Sequence, residues 1–130
     1  MVARPFRPPS PKGYGRIIRE GRDANAKFVK IVEEKDCTPE QRLLKEANSS
    51  LYVGKSEFFH DALASLTPNN AQGELYLTDC IGYADEKGHR AEAYCSPSHQ
   101  PLLGANTRSE LSAHETLRRT RMHRMHMDNG

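Results

Sequence analysis

The densest run of side chains able to contact a ligand is residues 69–79. Asn69, Asn70, Gln72 and Gly73 make a polar turn with no apolar spacing. Hydroxyls from Tyr76 and Thr78 then follow at alternate positions, with the Asp79 carboxylate next, just where apolar periodicity resumes. A polar elbow entering an ordered element presents side chains to a ligand while the scaffold stays rigid. The same residue types also suit a plain helix start with Thr78 or Asp79 near the cap, so the types alone leave both readings open. Elsewhere the chemistry is sparser. Glu33 stands at a strand end beside Glu34 and Asp36, where a solvated charge is the ordinary reading. Asn48 suits a helix C-cap and Asn106 a helix N-cap. His123 and His126 are spaced to share a metal on one helix face, but no third ligand lies nearby in sequence. Gly13 and Gly15 do not open a dinucleotide fingerprint, because a strand pattern follows them instead of a helix.

The elements that must position these residues can be read in turn. Residues 1–12 hold Pro5, Pro8, Pro9 and Pro11 with Arg4 and Arg7, which predicts an extended, disordered, poorly packed arm. Residues 13–20 and 28–33 read as two strands joined by a turn at 21–26. Thr38 is a helix N-cap, with Pro39 at the first helical position and Gln41 placed to close a capping box. Leu43, Leu44 and Ala47 supply that helix with an apolar face. Asn48, Ser49 and Ser50 break it, and Leu51, Tyr52 and Val53 read as a short buried strand ended by Gly54. Ser56 caps a second helix, in which Phe58, Phe59, Ala62, Leu63 and Leu66 have 3.6-residue spacing. Leu77, Cys80, Ile81 and Ala84 predict a third helix that runs to about Lys87 and stops at Gly88. A weak strand at 91–95, an extended piece at 102–105 and a last helix from Asn106 complete the chain.

Strands alternate with helices, so the class is α/β. No strand is the long apolar run of a central parallel strand, and no Gly-rich phosphate loop follows any strand. With 130 residues there is room for one domain at most. Hydrophobic residues make up 36% and mean hydropathy is -0.78, lean for a self-sufficient globule. A net charge of +2 gives no overall pull toward nucleic acid or membrane. No apolar run is long enough to span a bilayer, and the start lacks the apolar core of a signal peptide. Cys37, Cys80 and Cys95 are an odd number with no Cys-x-x-Cys pair, which favours reduced thiols in a cytoplasmic protein.

Four motifs occur in order: residues 13–17, residues 31–36, residues 69–79, and Gly104, Ala105, Asn106, Thr107, Arg108. Together they resemble the second half of the uridyltransferase domain of bacterial UDP-N-acetylglucosamine pyrophosphorylase, the bifunctional N-acetylglucosamine-1-phosphate uridyltransferase/glucosamine-1-phosphate acetyltransferase. The likeness runs from about Pro11 to about Gly130. It implies a partial Rossmann-like nucleotide-diphospho-sugar transferase fold lacking its N-terminal nucleotide-binding half. It also implies a division into the Pro-rich arm 1–12, a sugar-binding part 13–106 and a C-terminal linker helix 107–130. The implied reaction joins UTP and N-acetylglucosamine 1-phosphate to give UDP-N-acetylglucosamine and pyrophosphate, a step toward peptidoglycan and lipopolysaccharide precursors. Magnesium is the implied cofactor.

By the same resemblance, Gly15 matches a glycine whose backbone approaches the sugar nucleotide. Glu33 matches a carboxylate that accepts from sugar hydroxyls, and Asn48 an amide that contacts the sugar. Tyr76 and Thr78 match contacts around the N-acetylglucosamine pocket. Asn106 matches a magnesium ligand, its carbonyl oxygen suited to a hard cation. Where the family reads Asn-Thr-Gly, this chain has Asn48, Ser49 and Ser50, so a side chain stands where a glycine is expected. The family's nucleotide loop and second metal ligand have no counterpart in this sequence, so the chain is expected to be a fragment that is inactive alone. A separate N-terminal half is the partner that this expectation calls for. The alternative is a non-catalytic interaction or nucleic-acid-binding protein that uses the last helix, where Arg118, Arg119, Arg121, Arg124, His123 and His126 crowd together. A solvated face is the commoner meaning of such a run, and nucleic acid is not the expected partner.

Overall fold

A computed structural model describes residues 1–21, 23 and 26–130. Of the turn foreseen at 21–26, Arg22, Ala24 and Asn25 lie outside the described residues. The fold is mixed α/β, with two small sheets and four α-helices among the described residues.

Strands β2 (Arg16–Glu20) and β3 (Lys27–Val32) form the antiparallel hairpin that the sequence predicts. Ile17 faces Ile31 and Ile18 faces Lys30, then an irregularity between Ile18 and Arg19 shifts the register so that Arg19 faces Phe28. The shift keeps Ile17, Ile31 and Phe28 all in the core, where each is no more than 5% exposed.

The first twelve residues are extended, as their prolines require, but they are not loosely packed. Strand β1 (Val2–Ala3) is the middle of a three-stranded sheet. It pairs antiparallel with β4 (Tyr52–Val53) and parallel with β5 (Glu92–Ala93). Ala3, Pro5 and Phe6 are buried, and the Phe6 ring meets Tyr14 edge-on at 5.1 Å. Phe6 and Ala47 exchange both backbone bonds, at 2.9 and 3.0 Å. The Ile17 N–H donates to the Glu46 carbonyl at 3.0 Å, and the Asn48 N–H to that of Gly15 at 2.8 Å. Residues 46–48 thus stitch the arm to the hairpin. This is the physical reason that helix α1 (Pro39–Arg42) is only one turn long. Its start is as foreseen, with a complete capping box between Thr38 and Gln41. Its predicted apolar face is not formed, because Ala47 is drawn into extended pairing while Leu43 is 75% exposed.

Three more local readings are corrected. Leu51 and Val53 are exposed, because they alternate with Tyr52, whose ring takes the core-facing side. Helix α2 (Ser56–Ser65) is capped at Lys55 by backbone geometry alone, with Ser56 already inside it. Helix α4 (Arg108–Asp128) takes Thr107 as its N-cap, not Asn106, and Glu110 closes the capping box. Helix α3 (Cys80–Glu86) follows a single 3-10 turn, Leu77–Asp79, and ends before Gly88, which adopts φ +67°. Its Ile81 fills the core with Ala3, Ile17, Phe28 and Ile31, with Tyr52 packed against them. The cysteines are all unpaired. Among the described residues, no helix is long and apolar enough to cross a membrane.

Candidate functional site

Gly15 is the neighbour of two of the candidate residues, Glu33 and Asn48. Its φ is unremarkable, so its need for glycine is one of space. A Cβ there would lie 2.9 Å from Ile31 Cγ2 and 3.2 Å from each oxygen of the Glu33 carboxylate. Its carbonyl accepts the Asn48 N–H. The hairpin therefore brings Glu33 to one side of Gly15, and the 46–48 segment brings Asn48 to another.

Glu33 follows directly on β3 and is half-buried. Among the described residues its carboxylate has no salt bridge and no side-chain hydrogen bond of full geometry. Burial pushes its carboxyl above the ordinary range; the nearby Thr78 hydroxyl pulls the other way, and the charges of Asp36 and Asp79 push it up further. Thr78 is 5% exposed, and its Oγ1 is buried without a partner. The Thr78 hydroxyl is thus the one side-chain donor beside this carboxylate among the described residues, and a charge so thinly compensated is costly to bury. Asp79 is also raised by its own burial and by Asp36.

Asn48, 6% exposed, is fixed from two directions. Its Oδ1 accepts the Ser50 N–H at 3.0 Å and the Tyr52 hydroxyl at 2.9 Å. The neighbouring Ser50 sits at φ +61°, the left-handed region where a glycine costs least. Burial pushes the Tyr52 phenol up to about 12, so it remains a protonated donor at neutral pH.

The polar turn at 69–74 is tied down beside this cluster. Asn70 Oδ1 accepts the Gln72 and Glu74 N–H groups at 3.1 and 3.2 Å. The Ala71 N–H donates to Asp36 Oδ1 at 3.0 Å, and Lys35 bonds Gln72 Oε1. Gln72 Nε2 in turn donates to the Tyr76 hydroxyl at 2.7 Å. Tyr76 is half-buried at the edge of the cluster.

Asn106 stands apart. It is exposed, and its backbone N–H donates to Glu110 Oε2 at 2.7 Å as part of the α4 start. The nearest tie to the cluster is Gly104, whose N–H donates to the Tyr14 hydroxyl at 2.9 Å, one residue before Gly15. Among the described residues no group of three or more His, Cys, Asp or Glu side chains is placed to hold a metal. A lone amide oxygen does not meet the needs of magnesium, which binds through carboxylates and substrate phosphates. The residues present do not by themselves fit that cofactor.

Sequence reading missed two contributors, Tyr52 and Asp36. Tyr52 was hidden in a short strand pattern, since nothing local shows that its hydroxyl returns to Asn48. Asp36 looks like a surface charge until the fold sets it, with Asp79 of the polar stretch, near Glu33. Behind the site, Arg16 is 2% exposed and pairs with Glu34 Oε2 at 2.8 Å. Arg19 holds Glu46 through two bonds, 2.6 and 3.0 Å, and so anchors the segment that carries Asn48.

The chain is 40% identical over 121 residues to the bifunctional protein GlmU of Desulfitobacterium hafniense and to that of Clostridioides difficile. It is 42% identical over 120 residues to the bifunctional protein GlmU of Clostridium beijerinckii. These matches cover 92–93% of this chain and 25–26% of each relative. Over nearly all its length the chain is therefore a homologue of the bifunctional GlmU proteins, and the resemblance carried by its motifs is borne out. It spans about a quarter of the length of the curated relatives it matches. No protein-family model matches it.

Proposed function

We propose that this chain is the sugar-phosphate side of a nucleotidyltransferase, the second half of the uridyltransferase domain of a GlmU-type protein. The observation that carries this reading is the convergence of Gly15, Asn48 and Thr78 around the half-buried Glu33 carboxylate, which has no cation partner among the described residues. An ionised carboxylate with open acceptor positions is suited to accept from sugar hydroxyls. Asn48 adds an amide, and Gly15 leaves the space that any side chain would close. Tyr76 stands at the rim. The substrates on this reading are N-acetylglucosamine 1-phosphate and UTP, the product UDP-N-acetylglucosamine, and the setting cytoplasmic.

The reaction is attack of the sugar phosphate oxygen on the α-phosphorus of UTP, with pyrophosphate leaving. Such chemistry rests on positioning and on neutralising charge. This chain would contribute the positioning of the sugar. Magnesium would supply charge neutralisation. Asn106 alone does not make its site, so the nucleotide side and the remaining ligands would come from an N-terminal half.

The test is release of pyrophosphate from UTP, N-acetylglucosamine 1-phosphate and magnesium. The chain alone should give none above background, and adding the N-terminal half of a relative's uridyltransferase domain should restore it. In the restored enzyme Glu33→Ala should weaken use of the sugar phosphate roughly ten- to hundredfold at unchanged magnesium dependence. Asn106→Ala should raise the magnesium requirement. Turnover by the chain alone, or full activity in both variants, would overturn the reading.

A further inference from the structure

The Asn48 amide is oriented by its partners, whichever way its two terminal atoms are labelled. The Ser50 backbone N–H can only donate, so the Asn48 atom 3.0 Å from it must be the oxygen. That same oxygen is 2.9 Å from the Tyr52 hydroxyl, which must therefore donate as well. Both acceptor positions of Oδ1 are then filled from within the chain. The Nδ2 group, with two protons, makes no bond within the described residues and is not among the buried polar atoms lacking a partner.

We infer that Tyr52 is a positioning residue: its hydroxyl, with the Ser50 N–H, locks the Asn48 amide so that it presents donors alone to the ligand. The site then has complementary poles, an acceptor at Glu33 and a pure donor at Asn48. A sugar meets such a pair with a hydroxyl donating to Glu33 and an oxygen, hydroxyl or acetamido carbonyl, accepting from Asn48. Tyr52 can hold this role because it cannot easily turn away. Its backbone is paired with Ala3 in the sheet, and its ring packs on the core. Its raised phenol keeps the donor proton throughout the neutral range. This inference rests on the sugar-binding reading above for the ligand, but the lock itself does not.

Tyr52→Phe removes the hydroxyl and leaves the ring, so fold and core packing are kept. Two readouts separate the lock from the ligand. The first is the pair of Asn48 side-chain amide proton signals in a nitrogen-15 correlation spectrum of the whole chain without ligand. Wild type should show one sharp, resolved pair; in Tyr52→Phe the pair should shift or broaden as the amide gains freedom, while core methyl signals stay in place. The second is calorimetric titration with N-acetylglucosamine 1-phosphate, where Tyr52→Phe should bind about five- to tenfold more weakly, the scale of one hydrogen bond. An unchanged Asn48 pair overturns the lock, and an unchanged affinity overturns its role in binding. If wild type does not bind the sugar phosphate, the proposed function fails, and the amide signals alone then decide for or against the lock.

Discussion

Ser50→Gly should make the protein more stable. Ser50 is the one non-glycine residue at positive φ among those described, at +61°. An L-residue in this region costs roughly 1–2 kcal/mol against the right-handed form. Glycine does not incur that cost, but it gives the unfolded chain more freedom, which takes back about 0.4–1 kcal/mol. Nothing else is lost, since the Ser50 side chain is exposed and makes no hydrogen bond within the described residues. Its backbone N–H, the donor to Asn48, is retained by glycine. The net expectation is about 0.5–1 kcal/mol of stabilisation, or a rise of roughly 2–4 °C in Tm for a domain of this size. Scanning calorimetry of the two proteins at neutral pH measures it. Ser50→Val is the opposite control, because a β-branched side chain tolerates this region least and should lower Tm. A Ser50→Gly protein with an equal or lower Tm would refute the reasoning.

Two further perturbations probe the cluster. Gly15→Ala sets a methyl 2.9 Å from Ile31 Cγ2 in the core and 3.2 Å from the Glu33 carboxylate. It should cost about 1–3 kcal/mol by overpacking, seen as a lower urea midpoint; a midpoint equal to wild type would contradict the space argument. Glu33→Gln tests the buried charge. A carboxyl raised in the folded state binds its proton more tightly there than when unfolded, so its contribution is greatest at acid pH and declines as pH rises through the folded value. Glutamine cannot ionise and escapes that decline. The variant should gain on wild type between pH 4 and pH 7 in denaturant titrations, and a gap that is constant or shrinks with pH would contradict the unpaired-carboxylate account.

What was legible in the sequence was what local residues decide. The Thr38, Pro39, Gln41 start, the hairpin and the stop at Gly88 all follow from side chains within a few positions. Thr107 with Glu110 carries the same capping signature as Thr38 with Gln41, and it outweighs Asn106 as the cap of α4. What was not legible depends on distant partners. Ala47 looks helical until Phe6 and Arg16 claim its backbone, and the Pro-rich arm looks loose until β4 and β5 flank it. The site follows the same division. The motifs name Gly15, Glu33 and Thr78, the family resemblance adds Asn48, and the fold gathers them, whereas Tyr52 and the role of Asp36 enter only through the tertiary arrangement. At Ser50 the family resemblance reached what local reading did not: the position where the family has a glycine has the backbone geometry that suits one.

The reading of this chain as the sugar-phosphate side of a nucleotidyltransferase meets its most direct test in calorimetric titration with N-acetylglucosamine 1-phosphate, comparing wild type with Glu33→Ala. The account predicts saturable binding by wild type in the absence of any nucleotide, and a loss of roughly tenfold or more in the variant, the scale of a hydrogen bond to a charged group. Both proteins should remain folded by circular dichroism. No binding by folded wild type, or equal binding by the two, would contradict it.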